Sequence, residues 1–267
     1  MSRTRLDAEL VRRRMADTRS TARRLISEGR VRVGGVVAPK PATMVSPDTP
    51  VELTDDAARF VSRGGEKLDH ALDVFGIDVT DARAVDLGAS TGGFTDCLIQ
   101  RGAATVTAID VGYNQLDYRL RNHTQVEVHE RTNARTMDPA EFGEPFDIVV
   151  GDLSFISLEL VMGVVRSLVL PTGNVVLLVK PQFEVGRDQV GRGGLVSDPA
   201  LWNQSIMRII DAAGSHGLGA CGIVASPLRG ASAGNREFLL WVRPGPPTMA
   251  ADAIELALVN DSQESAP

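Results

Sequence analysis

From residue 84 onward the chain alternates short apolar runs with helical stretches, and this alternation narrows the possible folds more than any other feature. The runs are AVDLGAS, TVTAIDVG, VEVHE, FDIVVGDLS and NVVLLVKPQF, each short, rich in β-branched residues and bounded by turn residues. Segments 94–100 and 157–169 between them carry helical patterns. Nearly continuous apolar strands separated by helices imply a parallel sheet covered on both faces. Two later runs, 222–226 and 237–242, bring the expected sheet to seven strands. Ahead of the first strand, residues 66–75 place Leu68, Ala71, Leu72 and Phe75 on one helical face. The expected fold class is α/β: a Rossmann-like, mostly parallel seven-stranded sheet, preceded by a small α+β domain.

That small domain is read from residues 1–60. Leu6, Leu10 and Val11 give a first helical stripe. Thr18 or Ser20 can cap a second helix over 20–29, which carries Ala22, Leu25 and Ile26 and ends at Gly29. VRVGGVV then signals a hairpin, and a Pro-rich segment returns to Val51-Glu52-Leu53. Charge singles out the same region. Residues 1–40 hold eleven Lys/Arg against four Asp/Glu, so the rest of the chain carries a net charge of −13 to reach the total of −6. Such asymmetry suits a basic module aimed at phosphates, and it equally suits a solvated basic helix pair. Helix, helix and hairpin with a basic face resembles the alpha-L RNA-binding domain of a small-subunit ribosomal protein. That resemblance implies RNA contacts from Arg12, Arg19, Arg23, Arg24 and Arg30.

The first strand of the sheet runs into Asp86-Leu87-Gly88-Ala89-Ser90-Thr91-Gly92-Gly93-Phe94. In open α/β sheets ligands bind where strands end, so this turn is the expected cofactor site. A dinucleotide fingerprint needs a glycine where Ser90 stands, and a P-loop needs Gly-Lys-Ser/Thr, which is absent. Asp86 sits badly beside a pyrophosphate but suits a cofactor with a cationic amino-acid end. Asp110 closes the next strand, where a carboxylate can accept from both hydroxyls of a ribose. Two acids around a glycine turn are similar to the class I methyltransferase pattern. That similarity implies S-adenosyl-L-methionine as cofactor, held by Asp86, Gly88, Ala89, Ser90, Gly92, Gly93, Phe94, Asp110, Asn133 and Asp152. For Asn133 an ordinary turn role stands beside this reading.

The strand ends also carry the candidate chemistry. Base-amine methylation typically uses an Asn/Asp-Pro-Pro-aromatic clamp after the fourth strand, but here that strand ends Gly151-Asp152-Leu153-Ser154-Phe155. Methylation of a pyrimidine carbon needs a cysteine nucleophile. Cys97 and Cys221 fall inside a helix and a late strand, where packing is the expected role. Lys180 ends an apolar strand, Glu237 starts the last one and Lys67 opens the helix before the sheet. Lys67, Asp152, Lys180 and Glu237 together resemble the Lys-Asp-Lys-Glu tetrad of the FtsJ-type 2′-O-ribose methyltransferases. DLGASTGGFT, DLSFISL, LVKPQFEVG and GNREFLLW, with the N-terminal module, resemble the TlyA family over nearly the whole chain.

The resemblance implies methylation of cytidine ribose in small- and large-subunit ribosomal RNA, with Lys180 as general base. It further implies an RNA-binding domain at 1–57, a linker at 58–64, a methyltransferase domain at 65–245 and a poorly ordered tail at 246–267. No metal is expected. The Gly/Arg-rich segment 184–199 reads either as an RNA contact through Arg187 and Arg192 or as a plain surface loop. Phe155 reads as an adenine contact or as core. Two cysteines without a framework and no apolar leader in MSRTRLDAELVRRR fit a cytoplasmic protein. Some TlyA relatives were first described as haemolysins, so a membrane-active protein is one alternative; no long apolar run or lipidation motif supports it. A non-catalytic ribosome assembly factor is the other.

Overall fold

A computed structural model of the chain describes residues 3–34, 36–38, 40–54, 59–230 and 233–259. The chain forms two compact units, Met1–Arg59 and Phe60–Pro267. In the first, β1 (Thr4–Arg5) leads into α1 (Leu6–Arg12) and α2 (Arg19–Ser27), followed by β2 (Val31–Val33), β3 (Val36–Val37), β4 (Met44–Val45) and β5 (Val51–Leu53). The Thr18 hydroxyl accepts from the Thr21 N–H at 3.1 Å and so starts α2. Gly29, at φ +70°, follows its C-terminus and lets the chain turn into β2. Leu6, Leu10, Ala22, Leu25, Ile26 and Val31 form the core of this unit. The antiparallel pairing of β2 with β3 is the expected hairpin, and Val31–Val33 also pairs with Val51–Leu53. Gly35 of that hairpin lies outside the described residues.

The second unit runs α3 (Gly64–Phe75), β6 (Arg83–Leu87), α4 (Gly93–Gln100), β7 (Thr105–Asp110), α5 (Tyr118–Arg121), β8 (Val126–Glu130) and β9 (Phe146–Gly151). It continues through α6 (Met162–Leu168), β10 (Val169–Val179), α7 (Pro181–Glu184), α8 (Pro199–Ser215), β11 (Leu218–Ala225), β12 (Phe238–Pro244) and α9 (Ala253–Val259). Among the described residues these strands make a seven-stranded sheet of order β11-β12-β10-β9-β6-β7-β8. It is parallel from β10 to β8, while β12 runs antiparallel to both of its neighbours. Successive residues of one strand feed opposite faces, as the pleat requires. Val175 and Leu177 of β10 join Val149, Val165 and Ile206 on one side; Val176 and Leu178 join Leu68, Leu98 and Ile148 on the other.

Two expectations need correcting. The segment after Pro244 is not a loose tail over the described residues. α9 buries Ala257 and packs Ala253, Ile254 and Leu258 on the core, and the Thr248 and Met249 N–H groups both donate to the Ala220 carbonyl. Spacing at i, i+1, i+4 and i+5 gives this helix an apolar stripe that a polar-looking end concealed. Within the stretch read as a linker, Phe60 and Val61 are buried in the second unit. A Cβ on Gly65 would fall 2.3 Å from the Phe60 ring, so the start of α3 is shaped around that side chain.

Candidate active site

β6, the first of these strands in the chain, lies inside the sheet, and the chain crosses to opposite sides of it through β7 and β9. The crevice at the carboxyl ends of strands around such a reversal is where a ligand fits. Two adjoining clefts of about 720 and 200 Å³ open there and share Gly88, Ser90, Asp152 and Ser154 as walls. The larger has the size of a small-molecule site.

The glycine turn forms the floor. Gly88 has φ +82°, and a Cβ there would meet the Asp152 carbonyl oxygen at 3.0 Å, so only glycine lets the turns after β6 and β9 approach this closely. The Gly88 and Ala89 N–H groups donate to the Ile109 carbonyl at 2.8 and 3.1 Å. Asp110 Oδ2 accepts from the Ser90 N–H at 2.8 Å and Oδ1 from the Gly112 N–H at 2.6 Å, so the carboxylate ending β7 is fixed against the turn. Asp86 is fully buried. One of its oxygens accepts from the Thr95 N–H and hydroxyl at 3.0 and 2.7 Å, and the other has no hydrogen-bond partner. Burial pushes this carboxyl up to about 7, against the pull of the Thr95 hydrogen bonds.

Ala89, Gly93 and Phe94 line the smaller cleft with Asp86, while Asp110 and Asn133 line the larger. Asn133 also makes the turn contact, its Oδ1 accepting from the Arg135 N–H at 2.9 Å. Gly92 lines neither cleft. It has φ +97°, and a Cβ there would meet Leu120 and Leu116 at 2.4 and 2.8 Å, so its role is to let the turn pack.

The four candidate catalytic residues form two ion pairs. Lys180 Nζ lies 2.5 Å from Asp152 Oδ1 and donates to the Ser154 hydroxyl at 2.8 Å. Lys67 pairs with Glu237 across 170 residues of sequence. Both lysines and Glu237 are buried. Val179 pairs with Phe238 at the end of the β10–β12 ladder, so Lys180 and Glu237 follow it as neighbours just beyond the carboxyl end of β10. Lys180, Asp152 and Ser154 face the smaller cleft. Neither cysteine lines either cleft.

Sequence reasoning missed several contributors. Ser154, the hydrogen-bond partner of Lys180, was visible only as part of the DLSF run. Ser62 and Gly64, read as linker, line the smaller cleft. Glu184 is buried and accepts from the Ser157 hydroxyl at 2.6 Å and the Leu158 N–H at 3.0 Å, tying the end of α7 to the segment after Asp152. Desolvation there pushes its carboxyl up. Phe155 is 92% exposed at φ +63°, so it is not core; its ring lies 5.1 Å from that of Phe183 at the larger cleft. Loop 184–199 is anchored by buried Asn235, which accepts from the Val196 N–H at 2.8 Å and donates to the Gly194 carbonyl at 2.7 Å. Arg187 stands exposed on it.

In the first unit the candidate RNA-contacting arginines are organised by acids. Asp7 takes Arg5, Arg19 and Arg23 at 3.0, 3.2 and 3.1 Å. Glu9 takes Arg12 and Arg13 at 2.6 and 2.7 Å, and Arg24 lies 3.6 Å from Glu28. The Arg30 carbonyl accepts from the Thr54 N–H at 3.0 Å, and its side chain is half-exposed.

A Rossmann-like sheet with a glycine turn between two strand-end carboxylates, and paired lysines beside it, defines a methyltransferase. The chain belongs to the FtsJ-like methyltransferase family, whose sequence model matches residues 60–243, and an S4 domain matches residues 4–51. It is 50% identical over 242 residues, 90% of each chain, to the 16S/23S rRNA (cytidine-2′-O)-methyltransferase TlyA of Mycobacterium tuberculosis. It is also 38% identical over 240 residues to Hemolysin A of Brachyspira hyodysenteriae, covering 88% of this chain and 98% of that one. A solved structure of a Streptococcus thermophilus protein described as a hemolysin superposes with a TM-score of 0.77 at 34% identity, covering 99% of this chain and 97% of that one.

Proposed function

We propose that the chain methylates the 2′-hydroxyl of cytidine ribose in ribosomal RNA, using S-adenosyl-L-methionine, in the cytoplasm. The observation that carries this reading is the pairing of Lys180 with Asp152 and of Lys67 with Glu237 where β9, β10, β12 and α3 converge. That set replaces the proline clamp and the cysteine nucleophile that base methylation would need. The 50% identity to a 16S/23S rRNA (cytidine-2′-O)-methyltransferase supports the same substrate.

The residues present fit the cofactor. The unpartnered oxygen of buried Asp86 is placed for a cationic amino group, and Asp110 is positioned for a ribose. Gly88, Ala89, Ser90, Gly93 and Phe94 would surround its amino-acid half and Asn133 would reach its base. When bound, S-adenosyl-L-methionine supplies an electrophilic methyl on a sulfonium.

A ribose hydroxyl is a weak nucleophile until its proton is taken up. Lys180 Nζ, after its ammonium proton has left to solvent, takes up the hydroxyl proton, steered by the carboxylate of Asp152 and the hydroxyl of Ser154. Lys67, held by Glu237, orients the hydroxyl oxygen for in-line attack. Arg12, Arg19, Arg23, Arg24, Arg30 and Arg187 meet RNA phosphates.

The test maps 2′-O-methyl groups on ribosomal subunits incubated with the protein and cofactor. Wild type is expected to add them at cytidines. Lys180→Ala should lose about 10²–10⁴-fold in rate with cofactor affinity unchanged. Methylation of a base instead, or near-normal turnover by the variant, would overturn the reading. A haemolysin reading finds no support in the helices: among the described residues none is long and apolar enough to cross a membrane.

A further inference from the structure

Asp7 is fully buried yet ionised, and it sits under the guanidinium groups of Arg5, Arg19 and Arg23, whose side chains are 43%, 54% and 57% exposed. A carboxylate in this position is unusual in a module expected to hold an anion, because its charge repels the ligand. Its geometry explains its presence. Arg5 donates through Nε and Nη2, Arg23 through Nε, and Arg19 through Nη2 to both oxygens. Each fork therefore keeps at least one nitrogen that Asp7 does not engage. Three cations from β1 and α2 are drawn to one point despite their mutual repulsion, and the cluster keeps a net charge of plus two.

Long arginine side chains left to themselves sample many rotamers, and each must give up that freedom when it orders on a ligand. Here that ordering is already done, because the carboxylate fixes the forks before any ligand arrives. Two anchors position Asp7 itself: its N–H donates to the Pro41 carbonyl at 3.1 Å, and that of Leu6 to the Thr43 carbonyl at 2.8 Å. The Arg5 guanidinium, with Arg23 and Arg19 behind it, holds the Asp7 carboxyl well below the usual carboxylate range despite burial. The clamp is thus in the same charge state throughout the neutral range.

We propose that Asp7 is a positioning residue that gathers Arg5, Arg19 and Arg23 into one pre-formed clamp for the phosphodiester backbone of RNA. The inference rests on the RNA-directed function above and deepens it. Its distinguishing consequence is a sign. Asp7→Asn makes the protein one charge more positive, so charge alone predicts tighter RNA binding with a steeper salt dependence. A clamp that has lost its anchor predicts the reverse.

The experiment measures binding of the full chain to purified 23S ribosomal RNA across a salt series, with circular dichroism and thermal melting to verify folding. Asp7→Asn is expected to bind about tenfold more weakly, with a salt slope shallower by about one phosphate contact. Arg19→Lys/Arg23→Lys keeps every charge and removes only the forks, and it is expected to bind about fivefold more weakly. Folded Asp7→Asn that binds as tightly as wild type or tighter overturns the proposal. Should that variant unfold, wild-type affinity of the double lysine variant overturns it instead. Failure of the wild-type chain to bind this RNA in a salt-dependent way would sink the underlying reading, not the positioning role alone.

Discussion

Asp86 shows how far one residue's chemistry can be read and where structure must take over. Its place at the end of a strand, before a glycine turn, was legible because ligands in α/β sheets gather there. Its protonation was not, because that depends on burial and on Thr95 from the next helix. The carboxyl is raised from 3.8 to about 7, above its unfolded value. The fold therefore carries no charge penalty from this group at low pH. Stability is lost as pH rises from the unfolded value towards about 7, and the penalty is constant beyond that. Asp86→Asn should thus raise the melting temperature of the unliganded protein at a pH of about 8, by up to about 4 kcal/mol in stability, with the gap closing towards pH ~4. The same variant should bind S-adenosyl-L-methionine more weakly, having no carboxylate for its ammonium group. Equal melting of variant and wild type at both pH values would contradict the burial account. Ser154, Asn235 and Asp7 were illegible for a related reason: each acts on partners brought close only by the fold, such as Lys180 26 residues from Ser154.

At the level of elements, strands were easiest to read. Five apolar runs flanked by turns became β6 to β10, since two-sided burial writes itself directly into composition. Short pieces were hidden. β1 and β4 are two residues each, too short for any periodicity to register. Residues 157–169, read as helical throughout, divide into a 3₁₀ turn at Leu158–Val161, started by Ser157 and Glu184, then α6, with Val169 already in β10. The glycine turn looked like a row of equivalent cofactor contacts, yet its members differ. Gly92 faces Leu116 and Leu120 in the small core over β7. Gly92→Ala must therefore hold a side chain at φ +97° and displace both leucines, which should cost about 1–3 kcal/mol in denaturant unfolding. An unchanged midpoint would show that the leucines yield freely.

For the whole molecule, charge asymmetry was the clearest signal, and the limit between the two units was the least clear. A truncation that removes residues 1–54 keeps Phe60 and Val61, whose N–H donates to Asp96 at 2.7 Å, and should leave a folded catalytic unit. Its RNA binding should be weaker and less dependent on salt, as a fluorescence titration would show, whereas a salt slope equal to that of the full chain would assign the phosphate contacts to the second unit. Removal through residue 61 should in addition lower the melting temperature, since it opens the core around Phe60. The placement of β12 has a further consequence. This strand inserts between β10 and β11 and carries Glu237 to a lysine 170 residues earlier in the chain. During synthesis, Lys67, Asp152 and Lys180 all leave the ribosome before Glu237. A chain still being translated therefore holds an open sheet and leaves Lys67 without Glu237, and both are completed only once this inserted strand has emerged.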